Sequence, residues 1–416
     1  MKKVFSLICA FLPAFIVLTT AISCGRQSPL ENKMGRAILS LGDERRTGDL
    51  MDLARNAGEE EQIWIARSFA SIRDSLSIPL LKLWLLEGKS PELRKVSAFA
   101  CGQFRSAGNL ALLEQAYKKE AESKVKGEII LAIGKSGGGE WLVKNRVDPS
   151  HDLSGAFALA MTYTHVSEDA PGWLVELARK GRDAAKFHAL YVLGRYSGNL
   201  QAYQEELSQI AMQKLSTGEV GQLTRCLARL GRTGYPAIHN LYAVNSASDA
   251  RIQLLNGLKL ADDSLKKSLI VKGLQDGSVL VRESALNLLN QAGDLLTGEE
   301  LLLSIRREQN ALIHYGLTAL YMKQADRDEA RRLSEEIIQK IKSNDDPYIT
   351  GYQCLVLASD FRNLAFLEKL MWETPDILVR EFAFDAILKI RSDSRFPEFA
   401  REWDAERNGG IALDAH

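Results

Sequence analysis

Apolar residues return along this chain with a helical period set inside a longer period of about thirty residues. The segment 93–102 (LRKVSAFACG) is the clearest copy, and 125–134 (VKGEIILAIG), 185–194 (AKFHALYVLG), 281–290 (VRESALNLLN) and 379–388 (VREFAFDAIL) repeat it. Each copy has apolar first, eighth and ninth residues and usually a small or apolar fifth. On a helix of 3.6 residues per turn these positions share one side, so each copy predicts an amphipathic helix with a single stripe to bury. The stripe that covers it is expected on the preceding helix.

The same pattern places short helices over 34–42 and 48–56, then a first inner helix over 62–74 with Ile65, Ala66, Phe69 and Ile72 on its buried side. Later inner helices begin near Leu93, Val125, Leu153, Ala185, Val220, Ala250, Val281, Leu312, Ile349 and Val379. Outer helices precede several of them, near 76–87, 109–120, 140–146, 171–180 and 200–215. Pro91 and Pro171 suit first-turn positions, where a missing amide proton costs nothing. No alternating run of β-branched residues marks a strand, so the expected fold is all-α. A fixed internal period overrides a domain count based on length, and 34–391 reads as one elongated stack of about ten to eleven two-helix repeats.

The ideal inner-helix pattern, apolar-Arg-x-x-Ala-x-x-Ala-Leu-Gly, resembles a short bacterial HEAT repeat, carried best by Leu93-Arg94, Val281-Arg282 and Val379-Arg380. The resemblance implies an α-solenoid. It also implies that Arg94, Arg282 and Arg380 bond an aspartate in the adjoining turn, and Asp276 and Asp376 lie near their arginines. Segments 62–74, 77–81 and 93–102 together resemble the front of bacterial envelope lipoproteins in which such repeats precede a cyclophilin-type peptidyl-prolyl isomerase domain. After Ile390 the sequence has only a capping helix near 397–407 and a tail to 416, with no phenylalanine-histidine-arginine segment of the cyclophilin kind. Isomerase activity is therefore not expected.

The N-terminus changes the picture of where such a stack works. Met1-Lys2-Lys3, an apolar run through Thr20 and then Ala21-Ile22-Ser23-Cys24 have the layout of an export signal. Small residues directly before a cysteine resemble a bacterial lipobox, although Ala21 stands where leucine is usual. The resemblance implies that 1–23 is removed, that Cys24 is lipidated, and that the protein is anchored at an inner or outer membrane of the bacterial envelope. Residues 24–33, polar and containing Pro29, read as a tether. Lysine plus arginine and aspartate plus glutamate number 53 each, so charge gives no argument for nucleic acid.

Little in the chain suggests catalysis. None of the six histidines (151, 165, 188, 239, 314 and 416) is followed by glutamate or repeated at helical spacing, which argues against the His-Glu ligand pairs of di-iron repeat proteins. His151-Asp152 reads as a helix-start cap, Cys101, Cys226 and Cys354 as buried small residues, and 134–139 as a turn that lacks phosphate-loop spacing. No metal, no cofactor and no enzymatic activity are expected.

Counting from each first apolar residue, the third and seventh positions lie off the buried stripe and are expected on a concave surface. Seventh positions read Phe99, Leu131, Leu159 and Tyr191 in the front half, but Asn256, Asn287, Thr318 and Asp385 later. Third positions include Gly127 and Gly155 beside Phe187, and two mid-helix glycines suggest that something packs closely over them. These residues form a candidate groove for envelope proteins or peptides, and the expected function is a lipid-anchored, non-catalytic scaffold. The alternatives are an accessory subunit of a separately encoded isomerase and a lyase-like repeat enzyme.

Overall fold

The period resolves into twenty-four helices and no strands among the described residues. The structure, a computed structural model, describes residues 28–407 apart from 182 and 345. The signal segment and Cys24 lie outside the described residues. The helices fall into two compact units that divide at Gly198 and Asn199, where the sequence reading has a single body over 34–391.

The first unit holds α1 (Lys33–Asp43), α2 (Thr47–Ala54), α3 (Glu59–Ile72), α4 (Ile78–Glu87), α5 (Pro91–Gln103), α6 (Leu110–Lys119), α7 (Ser123–Lys135), α8 (Gly139–Asn145), α9 (Ser154–Met161), α10 (Ala170–Lys180) and α11 (Asp183–Leu193). Each odd-numbered helix packs on the next odd-numbered one, and even-numbered helices pack against this layer. The second unit repeats the plan with α12 (Gln204–Ile210), α13 (Thr217–Ala228), α14 (Tyr235–Val244), α15 (Ser248–Gly257), α16 (Asp263–Leu274), α17 (Val279–Ala292), α18 (Gly298–Arg307), α19 (Ala311–Gln324), α20 (Arg327–Ser343), α21 (Pro347–Leu357), α22 (Leu364–Glu373), α23 (Ile377–Arg391) and α24 (Phe396–Arg407). The stripes meet between the layers: Phe69, Leu81, Ile129, Ile133, Leu142 and Phe157 are fully buried, each burial contributing about 1.5–3 kcal/mol. The tether's end is tied down, since Arg36 donates to the Leu30 carbonyl at 2.7 Å and Asn32 caps α1 by accepting from the Met34 amide.

Helix caps fix where each stripe begins. Ser90 accepts from Leu93, Asn310 from Ile313 and Asp376 from Val379, so the third residue after each cap is the first buried one. This corrects the register of α19, where Leu312 is 42% exposed and Ile313 only 1%. Thr318, placed off the stripe by the sequence reading, is completely buried and donates to the His314 carbonyl.

The arginines form ladders, but with other partners than expected. Arg94 holds Glu120 through two bonds of 2.7 and 3.1 Å, and Arg282 holds Glu308 at 2.8 and 3.1 Å. From Asp276, Arg282 takes only the backbone carbonyl; the Asp276 carboxylate belongs to Arg251, at 2.7 and 2.9 Å. Asp376 serves as the cap of α23, and Arg380 donates to the Thr374 carbonyl. The reason is reach: a guanidinium at the second position points forward to the loop that enters the next odd-numbered helix. The acid it finds there lies one period on, not in its own turn.

Candidate functional site

On the first unit's odd-numbered layer, the third and seventh positions of α5, α7, α9 and α11 carry the residues singled out from sequence. Phe99 is 39% exposed, and Leu131, Leu159, Phe187 and Tyr191 are half-buried. Their helices are consecutive neighbours, so these side chains lie on adjoining helices of one layer. Phe187 and Tyr191, one turn apart on α11, are tilted rings with centroids 6.1 Å apart.

Three side chains that the sequence reading passed over complete this face. The Lys135 ammonium lies 5.0 Å from the Phe99 ring centre and 5.4 Å from that of Tyr163, bridging residues that precede and follow its own helix. The Arg195 guanidinium stacks on Tyr191 at 3.4 Å and donates to the Tyr191 carbonyl. The signal for all three was available. Lys135, Tyr163 and Arg195 each stand four residues beyond a seventh position, and i+4 on a helix keeps to the same side. Cations seated on aromatic faces contribute about 0.5–2 kcal/mol each, so these rings are held in place.

The electrostatics of this face follow from partial burial. Desolvation pushes the Lys135 ammonium below its usual range, opposed by Glu128 and reinforced by Arg105. Desolvation likewise raises the Glu128 carboxyl, with Lys135 and Lys95 pulling the other way. Beside Phe187, burial lowers His188, while a hydrogen bond to the Gly155 backbone opposes the shift. The surface is thus aromatic and apolar, with Lys135 and Arg195 seated over its rings.

The two glycines are explained by the fold. A methyl on Gly155 would lie 3.3 Å from the Ala185 Cβ, and one on Gly127 would lie 3.9 Å from that of Ala156. What packs near them is the following odd-numbered helix, closely for Gly155 and at ordinary distance for Gly127. A tenth-position glycine is far tighter: a methyl on Gly134 would collide with the Ala160 carbonyl oxygen and come within 3.0 Å of its Cα. Gly127→Ala is therefore expected to stabilise the chain by roughly 1 kcal/mol through helix propensity, and Gly134→Ala to destabilise it by about 2 kcal/mol by prying α7 from α9. Chemical denaturation of both variants checks this; equal effects of one sign would show that the helix spacing is wrong.

Other features carry less. A cavity of about 730 Å³ between α1, α2 and α3 has Ile38, Leu41, Leu53 and Ile65 in its wall and Glu44, Asp49 and Asp52 near its rim. A smaller one of about 260 Å³ lies beside the face, lined by Met161, His165, Tyr191, Arg195 and Tyr196 among others. The His151 ring accepts the Leu153 amide at 3.1 Å, a helix-start bond. Cys101, Cys226 and Cys354 are buried, and burial pushes the Cys101 and Cys354 thiols up to about 12. Among the described residues no group of three or more His, Cys, Asp or Glu is placed to hold a metal, and no helix is long and apolar enough to cross a membrane. The chain matches no protein-family model, and comparison with curated proteins returns no match.

Proposed function

We propose that this chain is a HEAT-type repeat protein held at a bacterial envelope membrane by lipid on Cys24. In this reading it works without catalysis, as a scaffold that binds proteins or peptides along the odd-numbered layer of the first unit. The observation that carries the reading is the run of partly exposed apolar and aromatic side chains, Phe99, Leu131, Leu159, Phe187 and Tyr191, on four successive odd-numbered helices. Aromatic residues with two side-chain torsions offer large contact area at small entropic cost, and arginine beside them matches the composition of interaction hot spots. A lipid on Cys24 would leave that face near other envelope proteins, on a tether of a few residues.

A photoreactive phenylalanine analogue in place of Leu131, in the full chain expressed in a bacterium with its own envelope, tests both halves of the proposal. Irradiation should yield adducts with a discrete partner in the membrane fraction. The same analogue at Leu83, 48% exposed on α4 of the even-numbered layer, should yield none. Adding Cys24→Ala should move the chain out of the membrane fraction. Adducts from Leu83 but not Leu131 would remove the proposed face, and full membrane retention of the Cys24→Ala chain would remove the anchor.

A further inference from the structure

The odd-numbered helices of this fold have a forward side and a backward side. Position ten of one helix approaches position eight of the next at Gly42 to Ser68, Gly102 to Ala132 and Gly134 to Ala160. Position six does the same where Leu286 of α17 meets Gly316 of α19. Positions two and four pair across helices as well, Gly221 with Gln253 and, counting α21 from its first buried residue Thr350, Gly351 with Phe382. Forward-side residues are accordingly buried within each unit: Ala98, Ile130 and Ala158 in the first and Leu255 in the second, all at position six, are fully covered.

The two ends of this pattern are finished differently. On α1, counted back from Gly42 as position ten, the backward side presents Arg36 at position four and Ser40 at position eight, both exposed, with exposed Lys33 beside them at position one. Such a polar end is what a repeat array needs to stop stacking. On α23, counted from Val379, the forward side presents Phe384 at position six and Leu388 at position ten, 49% and 48% exposed. No later odd-numbered helix among the described residues covers them. Ile377, 70% exposed, extends the same stripe.

We infer that the forward side of α23 is a self-association surface on which a second copy of this chain docks, its own α23 antiparallel to the first. Ile377, Glu381, Phe384, Leu388 and Arg391 recur at alternating intervals of four and three, the spacing of a helix–helix seam, and Ile377, Glu381 and Arg391 are exposed with the central pair. Its four residues Glu381, Phe384, Leu388 and Arg391 are spaced the same from both ends about their midpoint, and Ile377 lies outside this symmetric set. In an antiparallel pair Phe384 of one copy meets Leu388 of the other, and Glu381 of one meets Arg391 of the other, a guanidinium that also donates to Glu368 of its own chain and, 58% exposed, has room for a second carboxylate; every contact is made twice, as a two-fold interface requires. The charge order selects this arrangement. A parallel pairing would set Glu381 against Glu381 and Arg391 against Arg391. A head-to-tail stack would press Phe384 and Leu388 onto Lys33 and Arg36.

The mass of protein per particle, measured by sedimentation of the full chain in detergent over a range of concentrations, tests this. The chain should form dimers. Phe384→Glu should raise the dissociation constant by about a hundredfold or more while circular dichroism stays unchanged, since the residue is half exposed. Glu381→Arg should also dissociate the dimer, and Glu381→Arg combined with Arg391→Glu should restore it. A chain that stays monomeric at every concentration would overturn the inference. So would a dimer that survives both Phe384→Glu and Glu381→Arg, which would place the contact elsewhere.

Discussion

Asp276→Ala should lower the stability of the folded chain by about 3 kcal/mol, several times the effect of removing a surface carboxylate. Asp276 is 7% exposed and accepts four hydrogen bonds: two from Arg251, one from Tyr242 at 2.8 Å and one from the Ser278 amide at 2.9 Å. It thereby ties α14, α15 and the turn entering α17 together. Alanine would leave a mostly buried guanidinium with only the Asn245 and Ser246 carbonyls, and a hydroxyl without its acceptor. Asp376→Ala is the matched control. It removes one helix cap bond and should cost about 1 kcal/mol. Chemical denaturation of the two variants gives the comparison, and equal losses would show that the ladder contributes nothing.

The sign of the pH dependence follows from the same contacts. Burial alone would raise the Asp276 carboxyl, but Arg251, the Ser278 amide and Tyr242 together hold it below the usual carboxylate range. The Arg94 guanidinium does the same for Glu120. A carboxyl whose folded pKa is depressed stabilises the fold above its unfolded value, near 4, and that stabilisation is lost as pH falls through the folded value. The gap between the natural chain and Asp276→Ala should therefore be constant near neutrality and close on acidification below about pH 4.

Helix boundaries were legible in the sequence wherever the signal is local. The stripes at 93–102, 281–290 and 379–388 fix the odd-numbered helices because burial at the first, fifth, eighth and ninth positions is a property of a few turns. The exception, Thr318, failed by one residue because Leu312 and Ile313 are both apolar, and only the Asn310 cap decides between them. Partners one period away were not legible. Nothing near Arg282 in sequence distinguishes Asp276, six residues back, from Glu308, twenty-six residues on; the choice is made by the direction a second-position guanidinium faces. Gly155 was expected to leave room for a partner, and the group that lies near it in this chain is Ala185 of the next odd-numbered helix. Phe99, Leu131, Leu159, Phe187 and Tyr191 could be placed on one face from spacing alone. The seating of Phe99 against Lys135 could not, since it depends on the offset between neighbouring helices.

The claim at the centre of this account is that the aromatic face of the first unit binds a partner. Phe187 and Tyr191 lean on each other and, through Tyr191, on Arg195, and both remain partly exposed. Full burial of each in a complex would contribute about 1.5–3 kcal/mol, less the share already hidden in the free chain. Losing both rings should weaken a moderate complex by about a hundredfold or more. The most direct measurement is recovery of the bound partner from detergent-solubilised membranes by the lipidated full chain and by its Phe187→Ala, Tyr191→Ala double variant, with circular dichroism on each. The account predicts that the double variant keeps its helicity and loses the partner. Undiminished recovery by a folded double variant would contradict it, and so would a double variant that unfolds, because the rings would then be core rather than binding surface.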